Sequence, residues 1–93
     1  MTFKSKFLHY SISWKKSAEK DLKSVPRHYA RNIQSKIKKI AEDDPTLDIK
    51  KLQGYFDIPT YRLRVGDYRI IFEAHEHTII ILIVAIKHRK DAY

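Results

Sequence analysis

Hydrophobic and polar positions change period several times along this chain. In residues 9–14, "HYSISW", Tyr10, Ile12 and Trp14 alternate with other residues, the two-residue period of a strand with one buried face. From Lys15 to Ser24 the period lengthens, and Ala18, Leu22 and Val25 recur at helical spacing until Pro26 interrupts. A second helix is predicted from Pro26 or Arg27 to Glu42, with proline at its first turn. Its apolar stripe is Tyr29, Ile33, Ile37, Ile40 and Ala41, while Arg31, Lys36, Lys38 and Lys39 occupy the remaining face. "DDP" at 43–45 ends it, and residues 46–60 read as a loop or a short edge segment. Three strands follow, at 61–65, 68–74 and 78–87.

The first two of these strands meet at Gly66-Asp67. Glycine at the first turn position is the signature of a two-residue type II′ hairpin. That turn sets Val65 against Tyr68, Arg64 against Arg69, Leu63 against Ile70 and Arg62 against Ile71. Alternation then sends Leu63, Val65, Tyr68, Ile70 and Phe72 to the side the helices should cover, and Arg62, Arg64 and Arg69 to the other. Like charges directly opposite one another destabilise a strand pair, so the pairing of Arg64 with Arg69 asks for a ligand. A local rule broken in this way usually marks a working site.

The last strand, "TIIILIVAI", is apolar on both faces, as a central strand is. The first strand is expected as its second neighbour. The fold class is therefore α+β: an N-terminal strand, a two-helix hairpin and a three-stranded antiparallel meander, forming one small sheet packed on the helices. Two helices cover only one face, so either the C-terminal tail or a partner is expected over the other.

The 93 residues suit a single domain spanning 1–93, with no repeat or linker. There is no cysteine, which excludes a disulfide framework and thiolate chemistry and fits a cytoplasmic setting. Residues 1–8 lack the apolar segment of a signal peptide. The longest apolar run, Ile79–Ile86, has eight residues, against roughly 20 for a bilayer span, so no membrane span is expected. The net charge of +8 points to a polyanionic partner: nucleic acid, an acidic membrane surface or an acidic protein. Residues 1–45 hold eleven Lys/Arg against five Asp/Glu, whereas the arginines of the C-terminal half concentrate on strands. His75 and His77, in the turn "AHEHT", are expected to be exposed, and two ligands without a third make no metal site.

The element order, "YRLRVGDYRIIFEA" at 61–74, "IVAIKHRKDAY" at 83–93, "SAEKDLKSVP" at 17–26 and "DDP…KLQG" at 44–54 together resemble the RelE/ParE toxin superfamily over nearly the whole chain. The resemblance implies the toxin of a type II toxin–antitoxin module, neutralised by a cognate antitoxin and touching DNA only through that complex. RelE-like members cut mRNA on the ribosome; ParE-like members inhibit DNA gyrase without a nuclease site. The "HRKDAY" ending favours the first; a ParE-like gyrase inhibitor, or an inactive member binding only its antitoxin, is the alternative. For a RelE-like enzyme the resemblance implies catalytic roles for Arg62, Arg69, Arg89 and Tyr93. Two positions depart from the pattern. Thr60 stands where such enzymes often carry a lysine, and Tyr93 lies closer to Arg89 than in the best-known members.

The residue types suit RNA cleavage by 2′-OH attack. Arginine forks match phosphate oxygens bidentately and stay charged. Arg62, Arg64 and Arg69 are thus expected to clamp phosphate, with Lys87 and Lys90 adding RNA contacts. Arginine is a poor base because it is always protonated. His88, beside Arg89, is the candidate for proton transfer, and Tyr93 for stacking on a base. No cofactor or metal is called for.

Overall fold

The computed structural model describes residues 6–42 and 44–92. Its elements are β1 (Ser11–Trp14), α1 (Lys16–Lys23), α2 (Arg27–Ile40), β2 (Asp48–Lys51), β3 (Thr60–Val65), β4 (Tyr68–His75), β5 (Ile80–His88) and a 3-10 turn at Arg89–Ala92. One five-stranded sheet has the order β1-β5-β4-β3-β2, with β1 parallel to β5 and the remaining pairs antiparallel. The α+β architecture and the central place of β5 match the sequence reading. The sheet has one strand more than the N-terminal strand and meander allow, because Asp48–Lys51 pairs with β3 as an edge strand. This segment is short, and only Ile49 among its four residues is apolar, so it carries almost no periodic signal.

α1 and α2 cover one face of the sheet. Ile33, Ile37 and Ile40 are almost wholly buried, as the stripe on α2 demands. They pack with Tyr61, Leu63, Ile70, Phe72, Ile81 and Ile83 into one core. Tyr29 begins the same stripe but remains 48% exposed, because it lies on the first turn of α2 beyond the edge of that core. Phe7, in the charged N-terminal segment, is buried and meets Tyr61 and Phe72 edge-on, with ring centroids 5.0 and 5.6 Å away. It fills the end of the sheet that the short helices leave open.

A bulge in β5 rearranges its last third. Ile71 pairs with Ala85 but Phe72 with Ile83, leaving Val84 unmatched. Odd positions, Ile81 and Ile83, face the core before the bulge; Ile86 does so after it. β1 ends at Trp14, so the outer edge of β5 beyond Ile83 lacks a strand. α1 replaces it with side chains one turn apart. Ser17 Oγ donates to the Val84 carbonyl at 3.1 Å, and Asp21 Oδ2 accepts from the Ile86 amide at 3.0 Å. Two backbone groups that would otherwise lack partners are thereby satisfied.

The described residues after β5, Arg89–Ala92, do not fold across the open face of the sheet. The Arg89 amide donates to the Asp67 carbonyl at 2.8 Å, and Asp91 then shares a cleft with Asp21, Ser24 and Tyr68 on the helix side. Among the described residues, Ile71, Leu82 and Ala85 therefore remain half-buried on the open face rather than covered by the tail.

Candidate nucleic-acid interface

The hairpin of β3 and β4 has the register its turn predicts: Val65 with Tyr68, Arg64 with Arg69, Leu63 with Ile70 and Arg62 with Ile71. Gly66 has φ 57°, the left-handed value that type II′ requires at its first position. The row through Arg64 and Arg69 extends across the sheet. Arg69 also pairs with Lys87 of β5, and Arg64 with Asp48 of β2. Residues directly opposite each other share a face with Cβ atoms about 4.5–5.5 Å apart. Arg64, Arg69 and Lys87 thus root three cations on the open face within about 10 Å. Arg64 and Lys87 are exposed and Arg69 is half-buried.

Arg62 lies two residues from Arg64 on the same face, one row further from the hairpin. Its Nη1 donates to Asp48 Oδ1 at 3.1 Å and lies 3.3 Å from the Asp48 carbonyl oxygen. The Asp48 carboxylate thus reaches diagonally to Arg62. Asp48 escaped the sequence reading because a loop or short edge segment at 46–60 carries no register; once 48–51 is paired with β3, its place beside the arginines follows. Arg89 sits at the hairpin end of the row, its Nη1 3.7 Å from Asp67 Oδ1, with both side chains mostly exposed. Lys90 is exposed next to it. Tyr93 lies outside the described residues.

His88 is not brought to this face. It pairs with Tyr68, whose ring it meets edge-on at 5.1 Å, and Tyr68 in turn packs against Tyr29 of α2 at 5.8 Å. Its Nδ1 accepts the Lys90 amide at 3.2 Å, which puts the ring proton of the neutral imidazole on Nε2. The bulge at Val84 is the cause: it moves Ile86 and His88 to the helix side and leaves Lys87 among the arginines. Nothing in an unbroken apolar run marks that position.

Further along the open face, Glu73 and His75 form a half-buried pair, His75 Nε2 lying 2.9 Å from Glu73 Oε1. His75 is therefore the last residue of a strand with a partner, not the exposed turn residue that its neighbours suggest; His77 is exposed. Among the described residues, no three His, Cys, Asp or Glu side chains gather in a way that could hold a metal ion. Thr60 is buried and donates its hydroxyl to the Ile58 carbonyl at 2.9 Å. That position presents no cation to the face.

A family model for the ParE toxin of the type II toxin–antitoxin system parDE matches residues 12–93. The toxin RelE3 of Methanocaldococcus jannaschii is 42% identical over 90 residues, covering 88% of this chain and 93% of that protein. The RelB–RelE antitoxin–toxin complex from Methanococcus jannaschii contains a chain that aligns with TM-score 0.70 and 36% identity, over 84% of this chain and 91% of that one. The RelE–RelB complex from Pyrococcus horikoshii gives TM-score 0.71 and 31% identity, over 91% and 100% respectively.

Proposed function

This chain belongs to the RelE/ParE superfamily of type II toxins, and from that premise we propose that it is an endoribonuclease that cleaves ribosome-bound mRNA and is neutralised by a cognate antitoxin. The observation that carries this reading is the row of Arg64, Arg69 and Lys87 across three adjacent strands. Mutual repulsion among these cations is relieved when an anion binds, and it is relieved most by the doubly charged phosphorane of the transition state. In the proposed reaction the 2′-oxygen attacks the adjacent phosphorus as it loses its proton. The bond to the 5′-oxygen breaks, and that oxygen gains a proton. Arg64, Arg69 and Lys87 hold the non-bridging oxygens, while Arg89 and Lys90 take the flanking phosphate from the hairpin end. Arg62 is the reserve cation, shared with Asp48. Tyr93 is assigned to stacking on a base. The antitoxin partner is supported by the two archaeal RelE chains, which are seen in complex with RelB.

The match to a ParE model favours one other reading, a gyrase inhibitor in which the same arginines bind a protein. Cell-free translation separates the two. The purified chain should produce new mRNA 5′ ends inside ribosome-protected codons and leave gyrase supercoiling of DNA intact. Intact mRNA beside inhibited supercoiling would reverse the assignment.

A further inference from the structure

We propose that Tyr55 and Phe56, at the tip of the β2–β3 loop, form a stacking platform for an unpaired RNA base flanking the cleaved bond, and so help to choose where the mRNA is cut. This rests on the endoribonuclease reading and adds to it residues outside the cation row.

Tyr55 is 107% exposed and buries nothing, and Phe56, whose ring lies near Gly54, still leaves 47% of its surface exposed. Adjacent exposed aromatic rings are unfavourable in water and mark a contact with something else. The base of the loop is fixed: the Leu52 amide donates to the Thr60 carbonyl, and the Ala74 amide to the Pro59 carbonyl, both at 2.9 Å. Gly54, with φ 129°, turns the chain immediately before Tyr55 in a conformation that a side chain would strain. The rings are thus presented from an anchored corner of the sheet.

The charge beside the loop favours a polyanion as the occupant, and the two rings favour one that carries bases. Lys50 of β2 lies opposite Arg62 on the open face and is exposed, as is Lys51 beside it. Lys87, Arg69 and Arg64 cross three adjacent strands in register; on β2 the position facing Arg64 is Asp48, whose carboxylate is tied to Arg62, and the cationic path continues diagonally to Lys50, two residues further along the β2 edge. At about 4.8 Å per strand this line is about 15 Å long, the length of a few nucleotides. It ends at the strand that leads into the loop. A polyanion following it arrives at two aromatic faces, the combination by which proteins hold single-stranded nucleic acid.

The test uses the full chain in cell-free translation, with mRNA 5′ ends mapped and rates measured against the concentration of ribosome–mRNA complexes. The double variant Tyr55→Ala/Phe56→Ala should raise KM about tenfold or more, keep kcat within about twofold, and spread cleavage over additional codons. Tyr55 is fully exposed and Phe56 about half, so its thermal melt should stay within a few degrees of the parent. The exchange Tyr55→Phe/Phe56→Tyr should restore KM and the original ends. Unchanged KM and unchanged ends in the alanine variant would overturn the proposal. So would unchanged cleavage accompanied by weaker capture of the co-expressed antitoxin, which would give the loop to the protein partner. Intact mRNA with the parent chain would remove the endoribonuclease reading itself.

Discussion

Arg64 stands directly opposite Arg69 in the β3–β4 ladder, and Arg69 stands opposite Lys87 in the next. Asp48, which faces Arg64 across β2, gives its carboxylate to Arg62 instead. Like charges thus face one another across two ladders, each an unfavourable cross-strand pairing. Removing one member of the row should recover some stability. Arg64→Ala is expected to stabilise the fold by a few tenths of a kcal/mol, or about 1–2 °C in Tm. The gain should shrink in melts at about 1 M salt, where the screening length falls to about 3 Å. A lower Tm at low salt would mean that Arg64 has a stabilising partner.

The same residues should separate stability from activity. Arg69→Ala is expected to leave the fold intact and reduce mRNA cleavage by at least 10²-fold, the scale of losing one donor to a developing oxyanion. Cleavage by the purified variant at the parental rate, on ribosome-bound mRNA, would show that no phosphate is held there.

His88 allows a sharper comparison. A general base contributes about 10²–10⁴-fold, but the β5 bulge holds this ring against Tyr68 on the helix side. His88→Ala should therefore retain cleavage within about tenfold and leave the pH–rate profile of the parent unchanged. Loss of an acidic limb from that profile would return His88 to proton transfer.

The bulge itself can be tested through α1. Asp21→Ala removes the acceptor of the Ile86 amide. An unsatisfied buried donor costs about 1–3 kcal/mol, so Tm should fall by about 5–15 °C. Amide exchange at Ile86 should quicken more than at Ile70 in the neighbouring strand. Equal protection in the variant would mean that water reaches the site freely.

What could be read from the sequence divides along physical lines. The β3–β4 register was legible because one glycine fixes a two-residue turn, and the turn fixes every pair. The α2 stripe was legible at Ile33, Ile37 and Ile40 because a half-buried helix writes its period into the sequence. The fate of His88 was not, since an apolar run such as "IIILIVAI" reads the same with or without an extra residue at Val84. β2 was legible only as a loop or a short edge segment, for a different reason: a four-residue edge strand with three charged residues has no hydrophobic pattern, and only its partner β3 fixes its bounds and register. With that register went Asp48, the acidic neighbour of the arginines. Phe7 was missed because lysines at 4 and 6 mask a single buried ring.

Asp48 leads to the last prediction. Its carboxylate holds Arg62 at 3.1 Å, with the Asp48 side chain half exposed. Any phosphate that recruits Arg62 must compete with it. Asp48→Asn removes the charge, keeps the shape and leaves the backbone pairing of β2 with β3 in place. Arg62 should then join the anion site. On single-stranded nucleic acid each neutralised phosphate contributes about 0.7 to the slope of log affinity against log salt. The parent, holding one phosphate with Arg64, Arg69 and Lys87 and a second with Arg89 and Lys90, should show a slope of about −1.4, and the variant, in which Arg62 takes a third phosphate, should steepen it by about 0.7. Affinity at low salt should rise a few-fold, because an exposed ion pair is worth about 1 kcal/mol or less and its loss returns little more. Fluorescence anisotropy on a 2′-O-methylated RNA, which cannot be cut by 2′-OH attack, gives both quantities. An unchanged slope would mean that Arg62 meets no phosphate even when released, and that Asp48 and Arg62 serve only to tie β2 to the sheet.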